Sequence, residues 1–148
     1  MYLTSLSYQE LVDKGVSKPF ARIISDPESY HEYLGFYVGK TAWDYFIPEG
    51  VTDVVPLWDC NADSYVRWER DGTVEYVLLF HDDPEWALIA RSEQGIIAHL
   101  WQSWVGSCEE EEEFRKFAEA LGFLHYKEAM QLWDEDFDAF DEWKLTPR

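Results

Sequence analysis

Two short clusters hold most of the residues in this chain that could do chemistry. Asp59-x-Asn61-x-Asp63 has the alternating oxygen ligands that open a calcium-binding loop. Such a loop needs glycine at its sixth position and a bidentate glutamate at its twelfth. Here those positions hold Ser64 and Arg70, so the pattern reads better as Asx residues in a turn between strands. His81-Asp82-Asp83, with His31 upstream, has the residue types of a metal-dependent phosphohydrolase. Hydrolases of the His-Asp kind set that pair on helices, whereas a strand-like run precedes it here and Pro84 follows, as in a hairpin turn. A metal centre also needs three or four converging ligands. His99 and His125 sit among apolar residues and read as packing or surface positions.

Nucleophilic catalysis requires a nucleophile, a base and an orienting group in contact. Cys60 follows a strand-like run, and Cys108 precedes five consecutive glutamates, whose charge opposes thiolate formation. Two cysteines make neither a disulfide framework nor a zinc-binding pair of CxxC type. The chain contains no Gly-x-Ser-x-Gly elbow, phosphate-cradling glycine loop or dinucleotide fingerprint. Acid pairs are too numerous to single out as glycosidase carboxylates. The expectation is a protein without catalytic residues, cofactor or metal.

The elements that position these clusters are legible in order. Residues 54–58, 63–70, 73–80 and 86–90 are rich in Val, Ile, Tyr, Phe and Trp, which suit a pleated, half-buried surface. They predict a four-stranded antiparallel meander. Asp71-Gly72 is the strongest hairpin signal, since a type I′ turn needs positive φ; 61–63 and 81–84 supply the other turns. Alternation points Tyr65 and Arg67 to one face of the sheet, Val66 and Trp68 to the other.

Helices are expected on either side of this block. Ser7 and Glu10 form a capping box, with Leu6 and Leu11 facing inward and Gly15 as the stop. A second helical piece follows Ser17, and a third starts at Asp26-Pro27, carries Tyr30, Tyr33 and Leu34, and ends at Gly35. Residues 36–50 are ambiguous, with one helical turn at 41–46 before Pro48 as an option. Beyond the strands, Ile96, Ile97, Leu100, Trp101, Trp104 and Val105 predict an amphipathic helix over 92–105. A capping box at 107–110 would open the next, with Phe114, Phe117, Ala118 and Leu121 buried and Gly122 as the stop. Met130, Trp133, Phe137 and Phe140 predict a last helix in an acidic extension over 123–148. The fold class is α+β, a small antiparallel sheet with helices before and after it, in one domain over 1–148.

At 148 residues, 47% hydrophobic and 18% aromatic, the chain is too apolar to be disordered, yet it carries a net charge of −18. Residues 1–50 carry −3, 51–108 carry −7 and 109–148 carry −8, the last clustered at 109–113 and 134–142. This charge disfavours nucleic acid. No long apolar run or leader is visible, so no membrane contact is expected and the cytoplasm is the expected compartment. Eight tryptophans exceed what a core this size needs, and tryptophan is enriched at binding hot spots.

The order of helices, then VVPLWDCNADSYVRWERDGTVEYVLLFHDD, then WALIARSEQGIIAHLW, resembles the SUKH superfamily. The similar features are a strand with Pro56-Leu57, a turn with Asn61 and Asp63, a strand ending in Asp71-Gly72, and a helix entered from Ser92. The resemblance covers a third to a half of the chain; the amino-terminal half departs from the pattern and the acidic extension is unmatched. That group includes a fungal cell-wall-synthesis regulator and bacterial immunity proteins of toxin systems. It implies a non-enzymatic protein that binds a protein partner, here a basic toxin domain, or serves as an intracellular scaffold or regulator. The contact residues expected are Trp58, Asp59, Asp63, Trp68, Asp82 and Asp83. The alternative is a small hydrolase using the 81–83 turn. The oligomeric state stays open.

Overall fold

A computed structural model describes residues 1–26, 28–30, 43–105, 110–135 and 137–146, except the side chains of 105, 133–135 and 137. The architecture is α+β: a four-stranded antiparallel sheet with two helices before it and four after it among the described residues. The chain divides into two compact units, Met1–Leu88 and Ile89–Arg148.

The first unit opens with α1 (Tyr8–Asp13), whose capping box forms in both directions: Glu10 N–H donates to Ser7 Oγ and Ser7 N–H to Glu10 Oε1. Leu11 is fully buried, Leu6 only half-buried, and Gly15 takes φ 91° just past the stop. α2 (Lys18–Ser25) has proline in its first turn and buries Phe20, Ala21 and Ile23. The third helix expected after Asp26 falls largely outside the described residues; the described residues 28–30 form a turn. Between Trp43 and Pro48 the chain is non-helical, with Asp44 in an isolated bridge to Tyr2, so residues 43–46 do not form the optional helical turn. Alternation along this stretch, with Tyr45 and Ile47 inward and Asp44 and Phe46 outward, is what a bridge-forming segment over a core requires.

The strands are β1 (Val51–Cys60), β2 (Asp63–Arg70), β3 (Thr73–Leu79) and β4 (Trp86–Ala90), in sheet order one to four. β2 and β3 pair without interruption from Ser64↔Leu79 to Arg70↔Thr73, closed by Asp71 and Gly72 at φ 53° and 74°, both positive as a type I′ turn demands. Asn61 and Ala62, at φ 51° and 72°, make the same turn between β1 and β2. β1 is an edge strand with register shifts between Thr52 and Val55 and between Pro56 and Trp58. Shifts of this kind, with a proline, blunt an edge against further pairing.

Both faces of the sheet are packed. Val66, Trp68, Val77 and Leu79 lie on one, beneath Tyr45, with Leu3, Ile47, Val51, Val54, Trp86 and Leu88 around them. On the other, Trp58 stacks on Tyr65 at 4.4 Å and meets Phe20 of α2 edge-on at 6.3 Å. Glu75 is buried and accepts from Trp68 Nε1 at 3.1 Å and Arg70 Nε at 3.0 Å; the Arg70 guanidinium lies over Trp86.

The second unit is helical: α3 (Glu93–Val105), α4 (Glu111–Leu121), α5 (Tyr126–Glu135) and α6 (Phe137–Lys144). Ser92 caps α3, its Oγ accepting from Gly95 N–H at 3.0 Å. Gly95, Ile96, Ile97, Ala98, Leu100 and Trp101 are all buried, so α3 is sheltered around most of its girth rather than on one stripe. α4 begins at Glu111 with Glu110 at its N-cap and no side-chain cap bond; residues 107–109 of the box expected at 107–110 lie outside the described residues. Its acidic first turn still complements the helix dipole. Phe114, Phe117, Ala118 and Leu121 are its buried stripe, and Gly122 at φ 71° ends it.

The tail forms two helices where the apolar spacing predicts one. Phe140 and Trp143 of α6 are core residues, stacked at 6.0 Å. Arg91 N–H donates to Lys144 O at 3.1 Å. No described helix is long and apolar enough to cross a membrane.

Candidate functional site

An antiparallel meander brings alternate turns to the same end of the sheet, so the 61–62 turn and the 80–85 loop are neighbours. Asp63 joins them. Its Oδ1 accepts from the His81 backbone N–H at 3.0 Å and lies 2.7 Å from His81 Nδ1. Pairing with a carboxylate places a proton on Nδ1. The His81 ring rests against Trp43, centroids 4.8 Å apart. Tyr45 Oη donates to Ala62 O, pinning the neighbouring turn from beneath. Asp83 Oδ1 accepts from Glu85 N–H at 2.8 Å and rounds the loop, leaving Asp82 and Asp83 exposed.

Four of the expected contact residues therefore meet at one end: Asp59 and Asp63, both half-buried, with Asp82 and Asp83. The two tryptophans are core residues instead. Trp68 is 0% exposed, with its ring against Trp86 at 5.1 Å. Trp58 is 7% exposed, because the shift after Pro56 turns it to the face that Phe20 covers. Neither can anchor a surface contact.

Exposed aromatics stand elsewhere in this unit: Tyr2 at 67%, Phe46 at 53% and Trp43 at 42%. Sequence reasoning missed Trp43 and Phe46 because 36–50 reads ambiguously, and Tyr2 because it precedes the first capping box. The signal was the alternation of Asp44 and Phe46 with Tyr45 and Ile47.

The Asp63–His81 pair has the residue types of a base and its orienting group, the contact that the hydrolase alternative would use. Cys60 faces Asp63 across the turn in register, but burial, and then the Asp63 charge, push its thiol above the ordinary range, away from thiolate. Among the described residues, no group of three or more His, Cys, Asp or Glu is arranged to hold a metal ion. His31 and Cys108 lie outside the described residues.

The second acidic cluster is separate in sequence. Glu110, Glu111, Glu112 and Glu113 are exposed at the start of α4, where Arg115 pairs with Glu112 at 3.5 Å and Glu119 at 2.8 Å. In the same unit Lys144 Nζ lies 3.1 Å from His99 Nδ1 and 3.0 Å from Asp141. Burial first, and then the Lys144 charge, push His99 down to about 3. His125 packs its ring on Trp143 at 5.7 Å.

No family model matches the chain, and no curated protein and no solved structure matches it.

Proposed function

We propose that this chain is a non-enzymatic module that binds a basic protein partner and, following the SUKH resemblance, an immunity protein that occludes a cognate toxin in the cytoplasm. One observation carries the reading: Asp59, Asp63, Asp82 and Asp83 share one end of the sheet, built from sequence with no lysine or arginine over 43–66 or 71–90. A field of one sign steers an oppositely charged partner and speeds encounter. The test measures association and dissociation rates with the cognate partner at low and high salt. Asp82→Lys with Asp83→Lys should slow association and leave dissociation nearly unchanged. An association rate indifferent to salt would count against the reading, and the regulator would then lead.

The Asp63–His81 contact at 2.7 Å favours the hydrolase as a second reading. It requires metal-dependent phosphoester turnover that disappears in His81→Ala. One tightly bound metal ion per chain, lost in that variant, would replace the binding-module reading.

A further inference from the structure

We propose that Trp43, with the outward ribbon beside it, is the seat for an arginine or lysine side chain on a basic segment of a partner protein. This inference rests on the basic-partner reading above and assigns its anchor.

The Tyr2↔Asp44 bridge is antiparallel, so these two side chains leave the ribbon on the same side. Two residues on, Phe46 leaves on that side too, while Tyr45 and Ile47 go into the core. The ribbon thus presents two aromatic rings beside the Asp44 carboxylate, whose side chain is 66% exposed and pairs with the Met1 ammonium. Trp43 stands at its rim, held against His81, directly before Asp82 and Asp83 in the chain.

Tyr2, Trp43 and Phe46 are exposed together around this bridge. A planar cation over a tryptophan face gains about 0.5–1 kcal/mol at an exposed site and more once desolvated, and tryptophan leads the residues found at hot spots. Charge complementarity selects the occupant. Residues 1–13, 43–66 and 71–90 contain no lysine or arginine, and the Met1 ammonium is already paired with Asp44, so the exposed carboxylates of Asp82 and Asp83 are what selects a basic segment. A guanidinium is also more weakly hydrated than an ammonium and stacks better, so arginine is preferred.

The probe is an oligo-arginine peptide titrated into the ¹⁵N-labelled full chain at low salt, with an oligo-lysine peptide of equal length alongside. Shifts should centre on Tyr2, Trp43, Asp44, Phe46, Asp82 and Asp83, with arginine binding more tightly than lysine. Trp43→Ala, which changes no charge, should weaken binding about tenfold, equivalent to about 1.4 kcal/mol, whereas Trp43→Phe should retain most of it. Backbone spectra that otherwise superpose confirm that each variant is folded. Shifts centred on Glu110–Glu113, with Trp43→Ala silent, would overturn the seat and leave the basic-partner reading standing. The absence of any saturable shift at low salt would overturn both.

Discussion

Replacing His99 by Asn should flatten the acid limb of this protein's stability profile. The ring is largely buried in the second unit, with Nδ1 facing the Lys144 ammonium, and it takes a proton only near pH 3 against an ordinary 6.5. Burial is the larger cause and Lys144 the second; Asp141 pulls weakly the other way. A folded value below the unfolded one means that the unfolded chain binds the proton first. Stability from this group is therefore complete above the unfolded value of 6.5 and is lost as pH falls from there toward 3. At about 1.4 kcal/mol per decade, the loss between about pH 7 and about pH 5 is about 2 kcal/mol. The whole shift is worth on the order of 5 kcal/mol, an upper bound because the ring keeps some solvent contact. Asn keeps an acceptor near the Nδ1 position for Lys144 but binds no proton. Urea unfolding followed by tryptophan fluorescence across this window, wild type against His99→Asn, isolates the term, since the carboxylates titrate equally in both. Parallel profiles, or a His99 resonance titrating near 6.5 in the folded protein, would refute the reasoning.

Three further outcomes follow from close packing and turn geometry. A Cβ on Gly95 would stand 2.6 Å from Lys144 O and 2.9 Å from Ala90 Cβ, so Gly95→Ala should cost about 1–3 kcal/mol despite the better helix propensity of alanine, read by chemical denaturation. Ala62 holds φ 72°, which glycine adopts without strain, so Ala62→Gly should raise stability by about 0.5–1 kcal/mol in the same assay. Glu75→Ala leaves the buried Trp68 N–H without its acceptor and should cost about 2–3 kcal/mol, seen as a lowered midpoint of unfolding with the slope unchanged.

The sheet was legible because its signals agree: β-branched and aromatic runs, strict alternation over 65–68, and a turn dipeptide that tolerates positive φ. The two stops at Gly15 and Gly122 were legible for the same reason, each placed where the chain turns left-handed. Other features depended on register or long-range contacts. The shift after Pro56 decides which face Trp58 takes, and no local pattern announces it. Asp63 and His81 are eighteen residues apart and meet only because the meander stacks alternate turns. At the candidate site the acids were found from their type and spacing, while the exposed rings on 43–46 were hidden in a stretch whose short alternation competed with a helical reading.

The carbonyl of Lys144 that receives Arg91 and crowds Gly95 ties the start of the second unit to the helix that is synthesised last. The first unit holds its hairpins within residues 1–88, but the core of the second needs Phe140 and Trp143, made some forty residues after Trp101. At about 5–20 residues per second, Ile96, Ile97, Leu100 and Trp101 wait on the order of 2–8 s beyond the ribosome for that cover. The residues emerging during that wait include the glutamates of 109–113, so the nascent apolar helix leaves the ribosome tethered to five like charges. Repulsion between neighbouring nascent chains then guards a surface that the finished helices later enclose.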